Sequence, residues 1–149
     1  KKIDKDIMTF EEFINKFDHT QIPLYLDLKG CNKLAEMLHN FIDKHNLHYH
    51  NMYFASFNLH HLQILYDLNK SYKLGIITYN HLTNDMIKFI IDKYNLKFIS
   101  ISWNSLEHST IDYINSLKVN VYTYTVDKPC ILEFIKKYNI DGIVSNIRI

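Results

Sequence analysis

The chain carries at positions 24–29 the sequence Leu24-Tyr25-Leu26-Asp27-Leu28-Lys29, in which every second residue is leucine. Because successive side chains of a β-strand point to opposite faces, the leucines share one face, and Tyr25, Asp27 and Lys29 share the other. Strands in an open parallel sheet are covered on both sides and are apolar on both faces. One apolar and one polar face therefore favours a barrel, with helices outside and polar side chains inside, over an open sheet.

Five further β-rich runs follow this strand, roughly every 20–30 residues, and stretches with helical periodicity separate them. The predicted strands are 24–29, 53–57, 73–78, 98–102, 119–126 and 142–147. This alternation predicts the α/β class, and within it an incomplete (β/α) TIM-type barrel of about six parallel strands that alternate with helices.

Helix-start signals agree with the strand pattern. Thr9 and Glu12 have the spacing of a capping box ahead of an opening helix. Asn58 and Thr83 stand where N-cap residues belong, and Pro129 suits the first turn of a helix. We therefore expect helices to begin directly after these positions.

The composition of the 149-residue chain is 47% hydrophobic and 22% charged, which predicts one folded domain over residues 1–149. Sixteen of the 17 basic residues are lysine, which argues against nucleic-acid binding because base and phosphate recognition favour arginine. No apolar run reaches the ~18 residues of a membrane span. Cys31 and Cys130 have no partner motif, so we expect free thiols in a reducing compartment and a cytoplasmic location.

Five segments resemble, in the same order, the motifs of one known family. They are Thr9-Phe10-Glu11-Glu12-Phe13, Leu24-Tyr25-Leu26-Asp27-Leu28-Lys29, Ala55-Ser56-Phe57-Asn58, Tyr124-Thr125-Val126-Asp127 and Asp141-Gly142-Ile143-Val144-Ser145-Asn146. The corresponding motifs TLEEV, LNIELK, SFN, WTVN and DGIITD belong to the glycerophosphodiester phosphodiesterase family. The resemblance implies a metal-dependent β/α barrel that hydrolyses glycerophosphodiesters to glycerol 3-phosphate and an alcohol, a reaction of lipid metabolism.

The chain also departs from that family. The family's opening HRG motif supplies a catalytic histidine, and the next strands supply metal-binding carboxylates and a second histidine; none has a counterpart here. The resemblance thus implies a domain truncated at its N-terminal side. Asp27 stands where the family has glutamate, Tyr124 where it has tryptophan, and Asn146 where it has the closing aspartate.

Asp27 is the residue for which we expect metal binding. An inward carboxylate is costly to desolvate unless a cation faces it, and Mg²⁺ or Ca²⁺ takes carboxylate oxygens readily. One carboxylate cannot hold a divalent ion unaided. The alternative is an ion pair with Lys29, two residues further along the same face.

Three residues are predicted to bind substrate. The resemblance implies that Lys29 lies close to the substrate phosphate and that the ring of Tyr124 packs on the glycerol group; Ser56 could donate a hydrogen bond inside the mouth. The alternatives are an ion pair or solvated position for Lys29, a small interior filler for Ser56, and packing beside Tyr122 for Tyr124.

Two histidines, His60 and His81, follow strands and are predicted on the mouth side of the barrel. Either could act as a replacement acid or base, because histidine titrates near neutrality. The family has no catalytic histidine at these places, and surface helix positions are the simpler interpretation.

Three functions remain open on the sequence. The chain could form part of an active phosphodiesterase, its first two units supplied from elsewhere; it could bind a glycerophosphodiester or another phosphorylated small molecule without catalysis; or it could serve as an interaction module on a remnant barrel. Because six strands leave two open edges, we predict a homodimer or pairing with a missing barrel half.

Overall fold

A computed structural model describes residues 7–17 and 21–148. The strands in these ranges are β1 (Leu24–Asp27), β2 (Met52–Ser56), β3 (Lys73–Thr78), β4 (Phe98–Ser102), β5 (Asn120–Tyr124) and β6 (Gly142–Ile143). The α-helices are α1 (Phe10–Lys16), α2 (Lys33–Lys44), α3 (Leu59–Leu68), α4 (Asn84–Tyr94), α5 (His108–Ser116) and α6 (Pro129–Ile135). Short 3₁₀ turns at Tyr49–Asn51 and Trp103–Ser105 complete the set.

The six strands form one sheet in the order in which they occur in the sequence. Every neighbouring pair is parallel. The sheet curves through 224° and stays open, which is an incomplete β/α barrel and confirms the predicted fold class. Spread over the five steps between six strands, this curvature is about 45° per strand, the value for an eight-stranded barrel.

The predicted helix starts are confirmed. The backbone N–H of Glu12 donates to Oγ1 of Thr9 at 3.2 Å, and the N–H of Thr9 donates to the Glu12 carboxylate at 2.7 Å, which completes the capping box. The side chains of Asn58 and Thr83 accept from the first turns of α3 and α4. Pro129 occupies the first turn of α6.

The outer face of the sheet holds the main core. Leu24 and Leu28 are 8% and 5% exposed and join a cluster that includes buried side chains of the helices, such as Ala35 of α2 and Leu62 of α3. The leucines of the 24–29 stretch therefore face the helices, as their alternation predicts.

The inner face is more aromatic than expected. Phe98 is fully buried inside the barrel, and the rings of Tyr25, Tyr53 and Tyr122 lie 5.6, 5.9 and 5.1 Å from it. The prediction of a polar inner face is therefore wrong for the deeper layer. The interior of a β/α barrel is a packed core in which side chains fill the space, and polar groups gather only near its mouth.

No helix within residues 7–17 or 21–148 has the length and apolar character needed to cross a membrane.

Candidate functional site

A cavity of about 320 Å³ opens at the mouth of the half-barrel, where the carboxyl ends of the strands meet. Its lining includes Asp27 and Lys29 from β1 and the residues after it, Phe57 after β2, Ser100 from β4 and Tyr124 from β5. In β/α barrels this end carries the functional residues, because the loops after the strands converge there.

Asp27 and Lys29 both line this cavity, so their predicted inward placement is confirmed. Nζ of Lys29 lies 3.0 Å from Oδ2 of Asp27, and the two side chains are 72% and 30% exposed. The ion pair weighed as an alternative is therefore present in this structure. An exposed pair of this kind is worth little free energy, so it can open when another anion approaches.

Tyr124 lies on the opposite side of the mouth, with its ring 6.0 Å from that of Phe57. Its hydroxyl is buried and makes no hydrogen bond to any described residue. Burial, helped by the negative charge of Asp27, raises the pKa of Tyr124 to about 12. The hydroxyl is consequently a neutral donor throughout the physiological range.

Ser100 presents a second buried hydroxyl to the same cavity. The residue is 0% exposed, and its Oγ makes no hydrogen bond with the described part of the chain. The Tyr25 hydroxyl lies next to that of Ser100, outside the geometry of a formed hydrogen bond but close enough to lower the Tyr25 pKa; burial outweighs this effect and raises the pKa of Tyr25 to about 12. The cavity floor therefore carries hydroxyl groups rather than charges.

Ser56 lies away from this cavity, contrary to the predicted position inside the mouth. Its hydroxyl donates to the carbonyl oxygen of Leu28 at 3.0 Å and lies 3.0 Å from Nδ1 of His61. Nε2 of His61 donates to the carbonyl oxygen of Cys31 at 3.2 Å. Ser56 is 1% exposed because strand alternation turns it to the helix side, together with Phe54. The predicted substrate contact is thus replaced by a link between β1 and α3.

The two candidate catalytic histidines also lie outside the cavity lining. His60 is exposed in the first turn of α3. Nδ1 of His81 lies 3.0 Å from Oε1 of Glu107, and both side chains are largely exposed, at 68% and 51%. An acid or base role for either histidine stays a prediction.

The donor set near Asp27 does not by itself fit Mg²⁺ or Ca²⁺. These ions take several oxygen ligands, usually with more than one carboxylate in the set. Within residues 7–17 and 21–148, no group of three or more His, Cys, Asp or Glu side chains is arranged to hold a metal ion. Asp27 offers one carboxylate, and an ammonium group already lies against it. The predicted cation therefore needs ligands beyond these residues.

Phe57, Ser100 and Asn146 complete the mouth, and the sequence did not single them out as binding residues. Strand alternation could have indicated that Phe57 and Ser100 face the interior. Phe57 shares the face of Ala55, and Ser100 lies on the face opposite to Ile99 and Ile101. The position of Asn146 depends on a contact between the segments that follow β5 and β6, which are neighbouring strands.

That contact joins Asn146 to Asp127, which lies just after β5. The backbone N–H and the side-chain amide of Asn146 donate to Asp127 at 2.8 and 2.7 Å, and the hydroxyl of Ser145 donates at 3.1 Å. These hydrogen bonds lower the pKa of Asp127. They hold the loop after β6 against the mouth, where the sequence predicted a longer strand.

Solved structures of known proteins share this architecture. A phosphodiesterase from Oleispira antarctica, in complex with the product sn-glycerol-3-phosphate, matches 91% of the chain with a TM-score of 0.78 and 16% identity. A glycerophosphodiester phosphodiesterase from Agrobacterium tumefaciens matches 92% with a TM-score of 0.69 and 13% identity. One from Parabacteroides distasonis matches 82% with a TM-score of 0.63 and 16% identity.

The chain has the fold of a glycerophosphodiester phosphodiesterase. The resemblance predicted from the five sequence motifs is thus confirmed at the level of the fold. The chain spans about half the length of these phosphodiesterase structures, covering 56%, 57% and 51% of them in the order given. No protein-family model matches the sequence, and no curated protein matches it.

Proposed function

We propose that this chain binds a phosphorylated small molecule, of the kind that glycerophosphodiester phosphodiesterases process, in the cavity at the mouth of the half-barrel. One observation carries the proposal: Asp27, Lys29 and Tyr124 line the same cavity. In the sequence, about 95 residues separate Tyr124 from the other two.

Lys29 is the residue that we assign to the phosphate group. Among the residues described as lining the cavity, it is the one that carries a positive charge. Its ammonium group can move from Asp27 to a phosphate group. No particular orientation of the phosphate is needed, because an ammonium group donates hydrogen bonds in several directions. Tyr124 and Phe57 offer ring surfaces to the carbon skeleton of the ligand.

Hydrolysis by this chain unaided is not part of the proposal. Metal-assisted attack on a phosphodiester needs a complete set of metal ligands and a group that protonates the leaving alcohol. The described mouth contributes one carboxylate, and His60 and His81 lie outside its lining. A divalent cation, if the protein uses one, requires carboxylates supplied by another segment or subunit.

A second candidate function, protein interaction, is favoured by the free edge of β1. Within the described residues this strand pairs with β2 on one side, and an apolar groove of about 420 Å³ lies along its other side. Phe10 of α1 and Phe41 of α2 line the groove, and Met37 in it is 64% exposed. We propose that a second copy of this chain, or further strand–helix units, covers this edge.

Calorimetric titration with sn-glycerol 3-phosphate tests the binding function. We expect measurable binding by the wild-type chain and a loss of about tenfold or more in affinity for Lys29→Met. Lys33→Met, an exposed lysine at the start of α2, is the matched control and should bind like wild type. If Lys29→Met and Lys33→Met bind sn-glycerol 3-phosphate with equal affinity, a group other than Lys29 binds the phosphate. In parallel, glycerophosphocholine with Mg²⁺ or Ca²⁺ should yield no glycerol 3-phosphate.

A further inference from the structure

Two hydroxyl groups of the mouth cavity lack a hydrogen-bond partner within the described part of the chain. They are Oγ of Ser100, in a fully buried residue whose nearest hydroxyl, that of Tyr25, does not reach hydrogen-bond geometry, and the hydroxyl of Tyr124. Both residues line the cavity that also contains Lys29. Buried polar groups in native proteins are nearly always paired, so two unpaired hydroxyls facing one cavity indicate a partner that binds there.

The polar groups of the cavity lie at different depths. Tyr124 is in register with Ser102, so Ser100 lies two residues deeper on the neighbouring strand, a difference of about 6–7 Å. Lys29 follows the end of β1 at the exposed rim. The cavity thus presents a cation at its rim and hydroxyl groups further in, which suits a ligand with an anionic end and a hydroxylated end.

The charges near the rim do not favour a divalent cation. Asp27 provides one carboxylate and is paired with Lys29 at 3.0 Å, so the site already contains its own cation. Ser100 and Tyr124 are neutral hydroxyl groups, which bind Mg²⁺ and Ca²⁺ far less well than carboxylates do. The same hydroxyl groups can donate to and accept from the hydroxyl groups of a ligand.

We propose that the cavity binds a phosphorylated polyol without a divalent cation, with Lys29 on the phosphate and with Ser100 and Tyr124 as hydrogen-bonding residues for the polyol. Asp27, once Lys29 has moved to the phosphate, accepts a hydrogen bond from a further ligand hydroxyl. This inference rests on the proposed binding function. It assigns recognition to hydroxyl groups of this chain rather than to a metal ion.

Titration of the wild-type chain with sn-glycerol 3-phosphate in EDTA, and again with excess Mg²⁺ or Ca²⁺, tests cation independence. We expect dissociation constants that agree within about twofold. Binding that requires the added cation would overturn this inference and leave the proposed function intact. Absence of binding under every condition would overturn the proposed function itself.

Ser100→Ala and Tyr124→Phe test the hydroxyl groups. Each is expected to weaken sn-glycerol 3-phosphate binding about tenfold, the effect of one lost hydrogen bond, and to leave the binding of inorganic phosphate unchanged. Lys29→Met should weaken the binding of both sn-glycerol 3-phosphate and inorganic phosphate. Unchanged affinity of Ser100→Ala and Tyr124→Phe for sn-glycerol 3-phosphate would show that the two hydroxyls are structural only.

Two control variants share the same chemistry outside the cavity lining. Ser102→Ala removes a hydroxyl on the same strand that already donates to Asn104 at 2.7 Å, and Tyr79→Phe removes one from an exposed ring. Both should bind like wild type. Because Ser100 makes no hydrogen bond of good geometry and only approaches the Tyr25 hydroxyl, the melting temperature of Ser100→Ala should fall little. A folding defect in that variant would indicate a structural role and contradict the proposal.

Discussion

Tyr25 of β1 and Phe98 of β4 lie against each other across the interior of the half-barrel, with their ring centroids 5.6 Å apart. The ring of Tyr122 stacks on Phe98 at 5.1 Å from the β5 side. Aromatic packing beneath the mouth therefore joins β1 to β4 and β5, two strands with which it does not pair in the sheet. Such contacts contribute more than their buried area alone, so this aromatic layer supports the mouth cavity from below.

The Phe98 ring occupies space that a side chain at position 75 would fill, so position 75 must be glycine. A Cβ atom built on Gly75 of β3 would overlap that ring. Gly75→Ala should therefore lower the free energy of unfolding by about 1–3 kcal/mol, as overpacking of a core does. Urea denaturation measures the change. Combining Gly75→Ala with Phe98→Leu should recover part of the loss, because the smaller side chain leaves room.

Gly142→Ala is the control for this prediction. Its Cβ atom would lie 3.1 Å from the Tyr122 ring, a contact that a small shift of the ring can relieve. We expect a smaller loss than for Gly75→Ala. Equal losses in the two variants would mean that the tight approach of Phe98 is not the cause.

Ser56→Ala should affect stability and leave ligand binding unchanged. The substitution removes the hydroxyl that donates to Leu28 and receives the backbone N–H of Asn58 at 3.0 Å. Unsatisfied buried groups of this kind cost about 1–3 kcal/mol. Denaturation and calorimetric titration with sn-glycerol 3-phosphate measure the two effects separately. A weaker ligand affinity at unchanged stability would restore the substrate-binding role predicted from the sequence.

Asp127 should make stability depend on pH on the acid side. Its folded-state pKa is lowered by the hydrogen bonds from Asn146, so the charged form stabilises the fold above the unfolded pKa of 3.8. This contribution is lost as the pH falls through the lower folded pKa. Denaturation midpoints of wild type and Asp127→Asn should therefore differ near neutral pH and converge in acid.

The control for this prediction is Asp112→Asn, which removes an exposed carboxylate on α5. Its midpoint should follow that of wild type across the same pH range. A constant difference between wild type and Asp127→Asn at every pH would instead assign the effect to lost packing.

The free edge of β1 predicts association in solution. Light scattering of the wild-type chain should give the mass of a dimer or larger species, because an apolar groove and an unpaired strand edge favour pairing. Met37→Lys places a charge in that groove at a residue that is 64% exposed, so it should shift the mass toward a monomer with little change in stability. A monodisperse wild-type monomer would remove the basis for the interaction function.

Much of the fold was predictable because its signals are local. The alternation in 24–29 set the outer and inner faces of β1, and capping residues such as Thr83 set helix starts, since both depend on neighbouring backbone groups only. Less predictable were the ends of β5 and β6, where side-chain bonds to Asp127 replace part of the strand ladder.

The sequence by itself determined six strand–helix units, their parallel order and the inward direction of Asp27 and Lys29, because periodicity follows from backbone geometry. Only the tertiary structure decided that Ser100 and Tyr124 share a cavity with Lys29 and that Ser56 instead contacts His61. Curvature and strand register bring together residues that are distant along the chain, and no local pattern encodes either quantity completely.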